Sequence, residues 1–201
     1  VGLISLAHMH GLSYANALKK IPYAELVGIF DRETERRDKY AQEFGAKSFS
    51  NLESLLKEVD AVIICSENAF HAEYTIAAAR AGKHVLCEKP LATNLVDAKK
   101  MVDVCEENNV ILQTAFPIRF STPVERGKEI IDSGAIGEIL AIAGTNHGKM
   151  PPGWFLDKEL AGGGAVFDHT VHVVDIMRWY LGSEVSQVYA EVDTLLHDVD
   201  I

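Results

Sequence analysis

The first 116 residues alternate short, largely apolar runs with longer amphipathic ones, and that alternation limits the fold more than any other feature of the chain. Apolar runs stand at 1–6, 26–30, 61–65, 84–87 and 110–112. Between them lie helical patterns at 12–20, 33–44 and 73–81, and one in which Ala98, Met101, Val102 and Cys105 keep a three-four-seven spacing. A strand that is apolar on both faces needs cover on both sides, which a helix after each strand supplies. The expectation is an α/β fold, a Rossmann-type parallel sheet wound on both faces.

The rhythm changes after Phe116. A helix is expected at 123–133, a turn at 134–137, a strand at 138–146, a polar-apolar loop at 148–160, a long helix from 162 and an alternating strand at 185–193. Residues 117–201 therefore read as a second, incomplete α+β domain, truncated at its C-terminal end, behind a first domain of residues 1–116. The net charge of −10 argues against nucleic acid or an anionic membrane as partner, since both need a basic footprint. No apolar run approaches the ~20 residues of a membrane span. Cys65, Cys87 and Cys105 are odd in number and fit buried, reduced thiols of a cytoplasmic protein.

Open parallel sheets bind ligands beyond the carboxyl ends of their strands. The first strand-to-helix turn is Ser5-Leu6-Ala7-His8-Met9-His10-Gly11. Dinucleotide folds place Gly-x-Gly-x-x-Gly here, and Ser5, Ala7 and His10 occupy those three places. Serine and alanine are small enough to admit a phosphate, and a helix N-terminus still offers N–H groups. Asp31 follows the second strand, 20 residues after Gly11, where a carboxylate accepts ribose hydroxyls and repels a 2′-phosphate. That favours NAD over NADP, although neighbouring Arg32 can hold such a phosphate. The competing reading of Asp31 is a cap for the helix after it.

Two further segments carry chemistry. Glu88-Lys89-Pro90 follows the strand at 84–87 and delivers a lysine to the open edge. Asp168, His172 and Asp175 recur at steps of four and three, within an arc of roughly 60° on an α-helix, with Val166, Val173, Val174 and Met177 opposite. An ammonium beside a developing alkoxide lets an imidazole act as base toward an alcohol. Lys89 and His172 fit those roles, with Asp168 holding substrate or orienting the ring. The plainer readings are a solvated lysine and an Asp168–His172 pair at i,i+4. His169 should point about 100° from Asp168 and take no part. Trp154 is placed to stack on a sugar or to anchor its loop, and Arg119 to reach substrate or to pair with a carboxylate. His8 and His10 fit packing or phosphate contact. Asp168, His169, His172 and Asp175 diverge too far for one ion, so no metal is expected.

These segments together resemble the Gfo/Idh/MocA oxidoreductase family, named for glucose-fructose oxidoreductase and inositol 2-dehydrogenase. The resemblance rests on Ala81 through Ala92, on Ser66-Glu67-Asn68 followed by His71, on Asp132 through Gly137 and on Gly162 through Asp175. It implies a nucleotide-binding domain followed by a domain for substrate and oligomer contacts, with NAD or NADP as cofactor. It further implies a sugar, polyol or related secondary alcohol as substrate, and a homo-oligomer, dimer or tetramer. By position it makes Lys89 the active-site lysine, often before a cis proline, and Asp168 and His172 the catalytic pair. The implied cofactor contacts are Ser5, Ala7, His8, His10, Asp31, Arg32, Ser66, Asn68, His71, Glu88 and Lys89. The missing glycines leave a second possibility, a non-catalytic dinucleotide-binding or sensor protein.

Overall fold

The computed structural model describes residues 1–194, Val199 and Ile201. They form two units, Val1–Ala115 with Glu159–Gly162, and Phe116–Lys158 with Gly163–Ile201.

The first unit is a six-stranded parallel sheet in the order β3-β2-β1-β4-β5-β6. The strands are β1 (Gly2–Ile4), β2 (Gly28–Phe30), β3 (Lys47–Phe49), β4 (Ala61–Ile64), β5 (His84–Cys87) and β6 (Leu112–Thr114). The chain runs outward from β1 to β3, then returns across β1 to build β4, β5 and β6. That reversal opens a crevice at the carboxyl ends of β1 and β4. Five helices cover the sheet: α1 (His10–Leu18), α2 (Thr34–Phe44), α3 (Leu52–Glu58), α4 (His71–Arg80) and α5 (Leu95–Glu107). Successive strand residues face opposite ways. Ile4, Val62 and Ile64 accordingly join Leu55, Tyr74 and Met101 in one core. Leu3, Ile29 and Ile63 join Ala15, Leu18 and Ala41 in the other.

The Rossmann-type parallel sheet matches the expectation, and two elements add to it. β3 is a three-residue edge strand whose Lys47 and Ser48 are exposed, so it lacks the apolar pattern of its neighbours. α3 is only seven residues long, started by Asn51, whose side chain accepts the Ser54 N–H at 3.1 Å, and it buries Leu55 and Leu56. Gly28 allows β2 to meet β3 closely: a Cβ there would lie 2.2 Å from Phe49 Cε2.

The loops at the carboxyl edge are tied from beneath by His71. Its ring is fully buried, with Nδ1 2.9 Å from the Pro90 carbonyl and Nε2 3.3 Å from that of Ser66. The loop after β4 is thus stapled to the loop after β5, where the Lys89–Pro90 peptide is cis.

In the second unit, α6 (Thr122–Asp132) and α8 (Val171–Leu181) meet at a glycine. Tyr180 donates to the Val124 carbonyl at 2.9 Å, and a Cβ on Gly127 would lie 2.5 Å from the Tyr180 hydroxyl. Between them in sequence comes the short α7 (Lys158–Ala161), whose last three residues belong to the first unit, and α8 ends at Gly182 with φ 61°. Arg119 clasps Asp175 with two bonds of 2.6 Å, and the Asp175 carboxylate is buried. This corrects Arg119 as a substrate contact: its forked guanidinium is spent on a carboxylate of its own chain.

Two expected strands are also corrected. Neither 138–146 nor 185–193 carries a strand ladder among the described residues. Leu140, Val185, Val188, Tyr189 and Val192 are exposed there. Alternation marks a segment able to pair, but a strand exists only through its partner. The apolar back of the long helix divides likewise: Val173 and Met177 cover Gly144, whereas Val166 and Val174 are exposed.

Removing Arg119 leaves a buried carboxylate without its counter-charge. Arg119→Ala should lower stability in chemical denaturation by about 2 kcal/mol or more, with part recovered in Arg119→Ala/Asp175→Ala; an unchanged unfolding midpoint in the single variant would refute the assignment. His71 gives a pH test. Burial lowers its proton affinity and outweighs the Pro90 and Ser66 carbonyls, which raise it. The unfolded chain binds that proton near pH ~6.5, so the contribution is complete above that value and declines as pH falls toward the folded pKa. Denaturation midpoints should therefore fall below pH ~6.5 in the wild type and flatten over that interval in His71→Gln. Superimposable profiles would count against it.

Candidate functional site

The turn between β1 and α1 keeps its shape without the expected glycines. Ser5 takes the left-handed conformation, φ 64°, that a glycine would adopt most easily. It is held there by its hydroxyl, which lies 3.1 Å from Asp31 Oδ2 and accepts the Ala7 N–H at 3.1 Å. Gly11 serves close packing: a Cβ there would meet Leu6 Cγ at 3.3 Å and Cys65 Cβ at 3.4 Å. The close-packing glycine therefore stands one residue later than the fingerprint spacing places it.

Asp31 is the centre of this turn. One carboxylate oxygen accepts the Glu33 N–H (2.9 Å) and Arg36 Nη2 (2.7 Å). The other accepts the Leu6 N–H (2.9 Å), Arg36 Nε (2.7 Å) and the Ser5 hydroxyl. Burial raises the Asp31 carboxyl, but Arg36 and the Glu33 and Leu6 N–H groups outweigh it and hold the pKa below the usual range. A carboxylate offers about four lone-pair sites, and here all are taken. The reading of Asp31 as an open ribose acceptor is corrected to that extent: a ribose hydroxyl reaches it only where Arg36 gives way. Arg32, beside it, forks onto Glu73 at 2.8 and 2.6 Å and covers the Phe70 ring at 4.0 Å. Both partners of that pair are half exposed, so it is weak and exchangeable. Arg32, Glu33, Thr34, Glu35, Arg36 and Glu67 border an open groove of about 480 Å³ at this end of the sheet.

Across β1 lies a second buried carboxylate. Glu88, wholly buried, accepts from Tyr14 Oη at 2.7 Å and from the Lys89 N–H at 3.1 Å, and its Oε1 lies 3.0 Å from His10 Nδ1. Burial alone would raise this carboxyl; the His10 bond, the nearby His8 ring and the Tyr14 bond outweigh it and hold it down at about 2. Its oxygens face the protein, which corrects Glu88 as a cofactor contact. His71 and Ser66 are corrected for the same reason. Both are fully buried, the first with its ring nitrogens between the Pro90 and Ser66 carbonyls, to one of which its single N–H donates, and the second donating to the Glu67 carbonyl at 3.0 Å. Donor atoms of His8, His10 and Glu88 come within 4.8 Å of one another, and hydrogen bonds already engage the carboxylate. Cys65, Cys87 and Cys105 are free, buried thiols whose pKa values are raised by burial.

Lys89, buried, and Asn68 complete the edge. The Asn68 amide donates to the Ala161 carbonyl at 2.8 Å, which fixes its orientation, and its buried Oδ1 has no hydrogen-bond partner among the described residues. An orphaned acceptor of this kind suits a hydroxyl or amide of a bound molecule. With the reversal point of the sheet and the compact turn at Ser5 and Gly11, it makes this edge fit a dinucleotide.

In the second unit, Asp168 lies on a π-helical turn, Val166–Thr170, and His172 in the first turn of α8. The wider turn alters the straight-helix arc expected for Asp168, His172 and Asp175. His169, expected to point away from Asp168, instead has its Nδ1 3.2 Å from Asp168 Oδ2, a contact without hydrogen-bond geometry. The ring of His172 meets Phe116 edge-on at 6.2 Å. Trp154 stacks on the buried Phe155 with centroids 3.8 Å apart, so one of its faces anchors the loop. Sequence reasoning passed over Tyr14 and Arg36. Tyr14 stands four residues after His10, on the same face of α1, and Arg36 is in the first turn of α2; both spacings were legible.

Comparison with known proteins places this geometry. Residues 1–116 match the model of an oxidoreductase family with an NAD-binding Rossmann fold, and residues 124–201 match the GFO/IDH/MocA C-terminal domain. Among curated relatives, a myo-inositol 2-dehydrogenase of Thermotoga maritima is 35% identical over 98% of this chain and 59% of its own length. A 1,5-anhydro-D-fructose reductase of Ensifer adhaerens is 39% identical over 83% of this chain and 52% of its own. Among solved structures, a probable dehydrogenase of Thermotoga maritima aligns with a TM-score of 0.85 and 32% identity, over 98% of this chain and 59% of that one. The chain thus spans little more than half the length of these relatives. Both of its parts match in order, and the chain belongs to the GFO/IDH/MocA oxidoreductase family.

Proposed function

We propose that this chain serves an NAD(P)-dependent dehydrogenase that oxidises a secondary alcohol of a sugar, polyol or related small molecule, or reduces the corresponding ketone. The observation that carries the reading is the carboxyl edge of the sheet: a buried Lys89 follows β5, beside the orphaned Asn68 acceptor and the Ser5 turn, in a chain whose relatives are named as sugar and polyol oxidoreductases. Those names also disfavour a purely non-catalytic, sensing role.

In this proposal residues 1–116 hold the nucleotide, and residues 117–201 contribute to substrate binding and to contacts within a homo-oligomer. Bound NAD or NADP supplies the hydride-transfer chemistry. Ser5, Ala7, His8 and His10 form the wall on which the pyrophosphate rests, with Asn68 and Lys89 facing the other end of the dinucleotide. Lys89 stabilises negative charge developing on the substrate oxygen. His172 takes the hydroxyl proton, and Asp168 holds the substrate or the imidazole. Trp154 is assigned to stacking on the sugar ring. The cellular setting that goes with it is the cytoplasm. No helix among the described residues is long and apolar enough to cross a membrane.

Cofactor choice rests on Arg36. Its guanidinium neutralises the Asp31 charge that would otherwise repel a 2′-phosphate, and Arg32 stands beside it. Arg36→Ala should uncover Asp31 and shift the ratio of the Kd values toward NAD by about tenfold; an unaltered ratio would remove Asp31 from cofactor selection. For the reaction itself, the intact protein should reduce NAD or NADP with at least one member of a polyol and sugar panel. Lys89→Met should lower kcat about a hundredfold while cofactor Kd changes little. Full turnover in that variant would disprove the role given to the lysine.

A further inference from the structure

The β1–α1 turn has few main-chain donors left for an anion. The N–H of Leu6 goes to Asp31, that of Ala7 to the Ser5 hydroxyl, that of His8 to the Cys65 carbonyl at 2.9 Å and that of His10 to His8 Nδ1 at 3.2 Å. In a glycine-rich turn such groups cradle the pyrophosphate. Here they stabilise the turn itself, so charge on the phosphates must be met by other means.

A side chain is in place to meet it. His10 occupies the position of the third fingerprint glycine and opens α1. Its Nδ1 is committed to Glu88, and its side chain remains 38% exposed. Nε2 is then the nitrogen at which the ring gains or loses its second proton. The ring faces Glu88 and, 4.3 Å away in the same turn, the His8 ring; Glu88 in turn accepts from Tyr14 on the next turn of α1 and from the Lys89 N–H at the end of β5. Of these, Glu88 carries a full negative charge. Tyr14 is held neutral, because burial and the Glu88 charge push its pKa up. The Cys65 and Cys87 thiols near Glu88 are kept protonated by burial. The positive end of α1 opposes a cation here, and the directly bonded carboxylate opposes that in turn.

We propose that His10 is the anion contact of this turn, binding the cofactor pyrophosphate as an imidazolium anchored through Nδ1 to Glu88, so that cofactor binding takes up one proton from solvent. The inference rests on the dinucleotide reading above and adds a pH-dependent step to it. No covalent bond forms or breaks.

The test is calorimetry of the intact protein with ADP-ribose, which carries the pyrophosphate without the nicotinamide, from about pH 6 to about pH 9. Titrations in buffers of different ionisation enthalpy count the protons taken up. The expected result is uptake approaching one proton at the alkaline end, with Kd weakening toward tenfold per pH unit there. His10→Gln should bind about tenfold or more weakly near neutral pH and lose the pH dependence. Tyr14→Phe, which removes one bond from Glu88, should keep the proton uptake and shift its midpoint. Binding without proton uptake in the wild type overturns the proposal and leaves the dinucleotide reading standing. Affinity abolished by a chelator and restored by Zn²⁺ overturns it as well, because a metal would then supply the charge. Failure of ADP-ribose, NAD and NADP to bind at any pH overturns both readings.

Discussion

Two ionised carboxylates buried on either side of β1 set the carboxyl edge of this sheet. Burying such a charge is affordable only where every lone pair is met, so each one dictates the position of the groups around it. Asp31 fixes Ser5, Leu6, Glu33 and Arg36; Glu88 fixes His10, Tyr14 and the Lys89 backbone. Through these bonds the β1–α1 turn is tied to β2 on one flank and to β5 on the other. Strand order alone creates a crevice between β1 and β4, and the carboxylates determine what its rim looks like.

This arrangement accounts for the absent glycines. A glycine-rich turn works by letting the backbone bend tightly and approach the phosphates. Ser5 reaches the same bend at φ 64° because Asp31 and the Ala7 N–H hold its hydroxyl, and Gly11 preserves the tight seat of α1 against Cys65. Main-chain donors are consumed in the process, and a histidine stands where the third glycine would be. Loss of the fingerprint is thus a coordinated replacement, in which side chains take over the bend.

The sheet was legible because β1, β2, β4 and β5 are apolar and recur with helices between them. β3 was not, since its outer position leaves Lys47 and Ser48 in water and removes the pattern. The candidate edge was legible from motif positions, but motif position does not distinguish a side chain facing a ligand from one facing the protein. His71, Ser66 and Glu88 lie in the right segments and are covered, a matter of packing that spacing cannot report. Arg119 posed the same ambiguity, resolved only by Asp175, 56 residues away. In the second unit the helix at 162–179 was expected, yet the π-helical turn Val166–Thr170 within it leaves no mark in hydrophobic periodicity. The alternation at 138–146 and 185–193 marks segments able to pair, and no ladder forms there among the described residues, because pairing belongs to two segments and a pattern belongs to one.

The position of Glu88 has a consequence for how cofactor and substrate chemistry are joined. One carboxylate bonds both His10, on the turn proposed to receive the pyrophosphate, and the main-chain N–H of Lys89, whose side chain is proposed to face the substrate. The two oxygens of that carboxylate are rigidly linked, and between them they accept from the Tyr14 hydroxyl and the Lys89 N–H and bond His10. The β1–α1 turn and the peptide that carries the lysine are thus positioned by one and the same buried charge.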